Sequence, residues 1–265
     1  MENAKHFLQL KEEIPSIYPH ELFSVGPLTF SSSSMMSVLA VLVFLTLAYF
    51  VSKFKLIPNS FQIVVEDIVN FVHNFIIQIV GDRQKANRIL PYVGSVFLFI
   101  LFSNLIVIIP GITSFTWHGE PLFTGSTADF NTTFALALAS VVIININSMI
   151  ENGAFSHLSH FIQIKPIFIG FKKSIGEGFL AIINFFVGLI EIIGEFAKII
   201  SLSLRLFGNM FAHEVLTVIL LGAFSIFVPA VWMGMGILVG VVQAVVFTAL
   251  ITVYYSLTIR NETHH

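Results

Sequence analysis

Apolar residues run along this chain in stretches close to bilayer length, which is about 20 residues for a spanning helix. The runs are 35–51, 89–109, 130–150, a long one inside 176–228, and 229–259. Ser31 to Ser34 precede the first run and can cap its start. Pro110-Gly111 ends the second. The pattern predicts an all-α polytopic membrane protein: one membrane domain over 1–265, with a 34-residue tail before the first of about five membrane-crossing helices.

The stretch 60–80 reads differently. Phe61, Val64, Val65, Ile68, Val69, Val72, Phe75, Ile76 and Ile79 recur at helical spacing, with Gln62, Glu66, Asp67, Asn70, His73 and Asn74 between them. It predicts an amphipathic helix lying on the cytoplasmic interface or packed on a neighbour. Lys and Arg concentrate in cytoplasmic loops. They occur at Lys53, Lys55, Arg83, Lys85 and Arg88, at Lys165, Lys172 and Lys173, and at Arg260, whereas 110–129 and 222–228 have none. This alternation predicts an outside N-terminus and a cytoplasmic C-terminus, against the minor contrary signal of Lys5 and Lys11. No cleavable signal is expected, because the first apolar run lacks a basic lead.

Composition sharpens the picture. Of 265 residues, 56% are hydrophobic and only 11% charged, and the mean hydropathy is +0.90. A soluble domain carries about 25% charged residues, so an ordinary globular enzyme and a disordered chain are both excluded. The absence of cysteine excludes disulfides, thiolate metal sites and Cys nucleophiles. A net charge of −2 leaves no basic surface for nucleic acid. His73, His118, His157 and His160 show no metal-ligand spacing, and neither metal nor cofactor is expected.

No proline interrupts 167–228. One helix over 176–221 would be roughly 69 Å long, against a hydrocarbon core of about 30 Å. It must therefore tilt steeply or bend, near Gly188 or Gly194, and pair with the long last helix as an inclined hairpin. Gly236-x-x-x-Gly240-x-x-x-Ala244 gives that last helix a small-residue face for close approach.

The long helix also bears ionisable and polar groups. With about 100° per residue and Glu191 at zero, Glu177, Asn184, Glu195, Lys198, Arg205, Asn209 and His213 fall in an arc of roughly 80°. Glu214 falls outside it. Charges at membrane depth cost at least ~2.5–3.5 kcal/mol each and persist where they face water, a partner or a transported ion. Arg205 cannot usefully deprotonate. A fixed cation with carboxylates and an imidazole on both sides has the composition of a proton relay with a barrier in the middle. Structural readings compete: Lys198 can pair with Glu191 or Glu195, Asp129 and Asn131 can cap the third span, and Asn104, Asn145 and Asn147 can join helices.

The segment Ser201-Leu-Ser-Leu-Arg205-Leu-Phe-Gly-Asn209-Met-Phe-Ala-His-Glu214 resembles the signature of the subunit a family of the F-type ATP synthase membrane sector. Asn104-Leu-x-x-x-x-Pro110-Gly, Asp129-Phe-Asn131-Thr-Thr and Gln243-Ala followed by Tyr254-Tyr-Ser resemble it too, whereas the first 30 residues match least. The resemblance implies a non-catalytic stator subunit that passes protons through two offset half-channels to and from a rotating c ring. Its implied partners are the c ring, the peripheral-stalk b subunits, the rest of the complex and the lipid bilayer. Its implied location is a bacterial inner membrane, or alternatively an organelle inner membrane. Arg205 resembles the arginine facing the ring, and Asn209 and Gln243 its polar flanks. Glu214 resembles the carboxylate of the outside half-channel and Glu191 that of the inside one, with Ser201 on the same path and Glu195 beside it.

Many bacterial members have Gly before this glutamate and His on the last helix, whereas here His213 precedes Glu214 and Gly236 stands on the last helix. Either arrangement places an imidazole beside the carboxylate if the two helices pack there. The rival readings are a single-chain secondary transporter and a membrane scaffold. The first expects internal repeats or paired broken helices. The second gains little from buried ionisable groups.

Overall fold

The computed structural model describes residues 21–25, 28–51, 53, 59–109, 111–112, 115–117, 120–152, 175–223 and 227–262. The expectations for the first 20 residues, the basic 153–174 segment, Pro110 and His118 lie outside them. Six α-helices form the body of the described residues: α1 Ser32–Val51, α2 Ser60–Val80, α3 Arg83–Ile108, α4 Phe130–Asn152, α5 Ile175–Ala223 and α6 Phe227–Glu262. Two short antiparallel ribbons accompany them, β1 Glu21–Val25 with β2 Leu28–Ser31, and β3 Thr116–Trp117 with β4 Glu120–Pro121. The first ribbon falls in the stretch read from sequence only as a tail. The fold is that of an all-α polytopic membrane protein.

The chain divides into two compact units. One comprises 1–133 and 204–249, the other 134–203 and 250–265.

In the first unit, α1 begins where the serines predict. Ser31 Oγ accepts the backbone N–H of Ser34 at 3.3 Å, which satisfies one of the donors a helix start leaves open. Helices α2 and α3 form an antiparallel pair around a two-residue turn. Gly81 ends α2 at φ 76°, a left-handed position that favours glycine, and its N–H closes on the carbonyl of Ile77. Asp82 then starts α3, accepting the N–H of Gln84 at 2.7 Å and of Lys85 at 3.4 Å. The helix therefore begins six residues before the apolar run at Ile89, because capping rather than hydropathy sets its start. Val72, Ile76 and Val80 of α2 are buried, as are Ile89, Val93, Val96 and Ile100 of α3.

The opposite side of α2 exposes Phe61, Ile63, Val64, Val69 and Phe71 beside its polar residues. By length and composition α2 is able to cross a membrane, as are α1, α3, α4 and α6.

In the second unit, α4 buries Ala137, Ser140, Val141, Ile144 and Ser148, mostly small residues one turn apart that allow close helix packing. Tyr255 and Ile251 of α6 are fully buried there.

Helix α5 is continuous over 49 residues, more than twice what a bilayer core takes. Proline-free sequence with abundant Leu, Ile and Phe explains its length.

Replacing Gly81 by Ala should destabilise the α2–α3 pair by about 1 kcal/mol, because a Cβ is strained at positive φ. A lowered thermal midpoint of the detergent-solubilised protein is the check.

Candidate functional site: polar groups on the two long helices

Within the first unit, α5 presents two flanks. Leu206, Met210 and His213 are buried, whereas Leu204, Arg205, Asn209, Ala212 and Leu216 are exposed. The polar arc read from sequence is therefore not one surface. Arg205 and Asn209 look outward and His213 looks inward.

The inward group is built against α6. Gly236 of α6 lies under the His213 ring, so closely that a Cβ there would run into the imidazole. Trp232, one turn earlier, stacks on the same ring with centroids 5.4 Å apart and planes 17° from parallel. The Trp232 indole N–H also points to the backbone carbonyl of His213 at 3.4 Å, and Thr217 donates its hydroxyl to that carbonyl at 2.7 Å. Glycine thus admits the imidazole and tryptophan fixes its plane.

A second contact lies two turns further along α6. Asn209 Nδ2 donates to Gln243 Oε1 at 2.8 Å. Gln243 is only 4% exposed, and its Nε2 has no hydrogen-bond partner among the described residues. A buried amide with one end unsatisfied is costly unless water or a partner group reaches it.

Between these contacts, Gly240 faces α3. Asn104 of α3 is fully buried and donates to the Gly240 carbonyl at 3.2 Å. The Asn104 side-chain Oδ1 accepts from the Thr127 hydroxyl at 2.7 Å. A Cβ on Gly240 would stand 3.1 Å from Asn104 Cβ, so the glycine permits the approach. The small-residue face expected for α6 is thus occupied at Gly236 by His213 and at Gly240 by Asn104.

Glu214, off the arc in sequence, turns towards the α3–α4 connection. Its Oε1 accepts the backbone N–H of Gly125 at 3.2 Å.

Within the second unit, Glu195 pairs with Lys198 one turn on. Asn145 of α4 donates to its other oxygen at 3.4 Å. Lys198 also stands 5.2 Å from the centroid of the Tyr254 ring, a cation–π geometry. Of the two acids open to Lys198 in sequence, Glu195 is the observed partner. Glu191 is half-buried and Ser201 exposed. Asp129 caps α4 as expected, accepting the N–H of Asn131 at 3.0 Å. Asn147 bonds only its own helix among the contacts described, at the Ile143 carbonyl.

No group of three or more His, Asp or Glu side chains placed to hold a metal ion occurs among the described residues.

Residues 33–256 match the family model described as ATP synthase A chain. The chain belongs to that family. An ATP synthase subunit a of Moorella thermoacetica is 30% identical over 240 residues, covering 90% of this chain and 95% of that protein. One of Geotalea uraniireducens is 35% identical over 200 residues, covering 76% and 75%. One of Crocosphaera subtropica, named subunit a 1, is 32% identical over 196 residues, covering 74% and 71%. Family membership makes this chain a multi-span membrane component of an ATP synthase, engaged in proton transport.

Gly125, Trp232, Asn104 and Thr127 join the site, although local sequence singles out only Asn104, as helix glue and as part of a motif resembling the family. Gly125 meets Glu214 across 89 positions, a pairing no periodicity announces.

Gly236→Ala should force the His213 ring away from Trp232, costing ~1–3 kcal/mol as overpacking does. In a Trp117→Phe background, the intensity of Trp232 fluorescence should change on this substitution and stay unchanged with Gly234→Ala, whose Cβ meets nothing within 4 Å.

Proposed function

We propose that this chain is the non-catalytic stator of the ATP synthase membrane sector. It offers two offset half-channels through which protons reach and leave carboxylates on a rotating c ring, coupling their flow to ATP synthesis. The supporting observation is the outward flank of α5. Arg205 is exposed there between Leu204, which is 51% exposed, and Leu216, which is 41% exposed. An apolar stripe with a permanent cation in it is costly against lipid. It suits partner helices that cover this flank.

Glu214, His213, Asn209 and Gln243 line uptake from outside. A proton passed to a ring carboxylate neutralises it, and the neutral carboxyl can face lipid. After nearly a full turn the carboxyl meets the inside path at Glu191, Glu195 and Ser201 and releases its proton. Arg205 attracts the ionised carboxylate and repels a proton that would cross directly. Each charge crossing the membrane contributes about 2.3 kcal/mol per 100 mV, which drives rotation.

Arg83 and Arg88 are exposed at the start of α3, and the connection after its far end lacks Lys and Arg. That asymmetry supports the cytoplasm on the α2–α3 turn side, an outside N-terminus and a cytoplasmic C-terminus in a bacterial inner membrane. The long α5 and α6 then lie steeply inclined. The peripheral-stalk b subunits are the further partners expected.

Arg205→Ala should abolish ATP-driven proton pumping in proteoliposomes while the complex still assembles. Pumping that persists with Arg205→Ala would refute the barrier role.

A further inference from the structure

Among the described residues of the α3–α4 connection, Pro121, Thr127 and Asp129 are pinned by contacts within the first unit. Ser32 donates its hydroxyl to the Pro121 carbonyl at 2.6 Å. Ser33 donates to Asp129 Oδ2 at 2.7 Å. Thr127 is tied to Asn104. Ser32 and Thr127 are fully buried, Ser33 is 1% exposed and Asp129 7%, and the Ser33–Asp129 and Thr127–Asn104 bonds form away from water, where they hold firmly. Asp129 also accepts from Thr132 at 3.3 Å and caps α4, which leaves its carboxylate fully engaged.

Between the pins lies Gly125. Its φ of −56° is one that any residue adopts. Backbone freedom therefore does not require a glycine here. Space does: a Cβ would run into Glu214 Oε1 and stand 3.3 Å from Val107 Cγ2 and 3.4 Å from Ala128 Cβ. The missing side chain lets the amide N–H reach Glu214 Oε1. A backbone amide holds a carboxyl group without competing for its proton, because it does not titrate.

We infer that Gly125 is a positioning residue for Glu214, and that the hydroxyl–carboxylate bond from Ser33 at the start of α1 to Asp129 holds Gly125 in place. The start of the first helix thereby fixes the orientation of a carboxyl group carried by α5. This inference rests on the proton-uptake role proposed for Glu214.

The test uses the complete ATP synthase in proteoliposomes, with ATP-driven proton pumping as the readout and subunit stoichiometry as the measure of assembly. Gly125→Ala should lower the pumping rate about tenfold, as loss of a charge-assisted hydrogen bond would. Glu214→Asp withdraws the carboxyl by one methylene and makes room for the new Cβ. The double variant should therefore pump at least about threefold faster than the product of the two single effects allows, the signature of groups in contact. Ser33→Ala should slow pumping about threefold, and Ser33→Thr, which keeps the hydroxyl, should restore most of it. Wild-type pumping by Gly125→Ala would overturn the inference. So would strictly multiplicative effects in the double variant, or an assembly failure of Gly125→Ala that Glu214→Asp does not relieve. Glu214→Gln separates the two levels. If it still pumps at the normal rate, the uptake role itself fails. If it stops pumping while Gly125→Ala behaves independently of position 214, only the positioning role fails.

Discussion

A guanidinium keeps its charge whatever its surroundings, so a membrane helix that carries one must be given something to face. Leucine, isoleucine and phenylalanine make up nearly half of α5, and Arg205 stands on the flank where Leu204 and Leu216 are exposed. Lipid would penalise that flank by several kcal/mol. The remaining polar groups of the first unit make sense around this constraint. Asn209, one turn on, shares the exposed flank yet is tied to Gln243 of α6. His213, a further turn on, turns inward. The helix thus passes from an outward cation to an inward imidazole within eight residues by rotation alone.

Close packing is what gives those side chains their places. Gly236 leaves room for the His213 ring, Gly240 for Asn104, and Gly125 for the Glu214 carboxyl. At Gly236 and Gly125 the missing Cβ leaves its space to a polar group of a neighbouring element, and at Gly240 it admits the Asn104 Cβ. The ordinary use of small residues between membrane helices is to bring backbones together. Here they also make polar recesses inside an apolar bundle. His213 occupies the space that Gly236 leaves.

Much of this was legible from sequence, and the remainder fails for identifiable reasons. Apolar runs located α1, α4 and α6 to within a few residues, because the same Leu, Ile and Val that prefer lipid also favour helix there. They misplaced the start of α3, since Arg83 to Arg88 are polar and only the Gly81–Asp82 turn and cap reveal the helix. The ribbon at Glu21–Ser31 went unread because a two-stranded pairing of so few residues has little periodicity. Among the candidate residues, helical spacing placed Arg205, Asn209 and His213 on one arc of α5, yet Arg205 and Asn209 are exposed and His213 is buried. It could not divide them into exposed and buried, since that depends on where α6 lies. Glu214 fell outside the arc, and its Gly125 contact joins distant parts of the chain. Lys198 had two acids within reach in sequence, and the tertiary position of Asn145 and Tyr254 accompanies the choice of Glu195.

A structure of the assembled complex in a bilayer, with side chains resolved around α5, tests the central claim most directly. The expected result is the Arg205 guanidinium directed at a carboxylate of an adjoining ring helix, with water on one side near Glu214 and on the other near Glu191. An Arg205 that faces lipid, or that the neighbouring rotor never approaches, would contradict it.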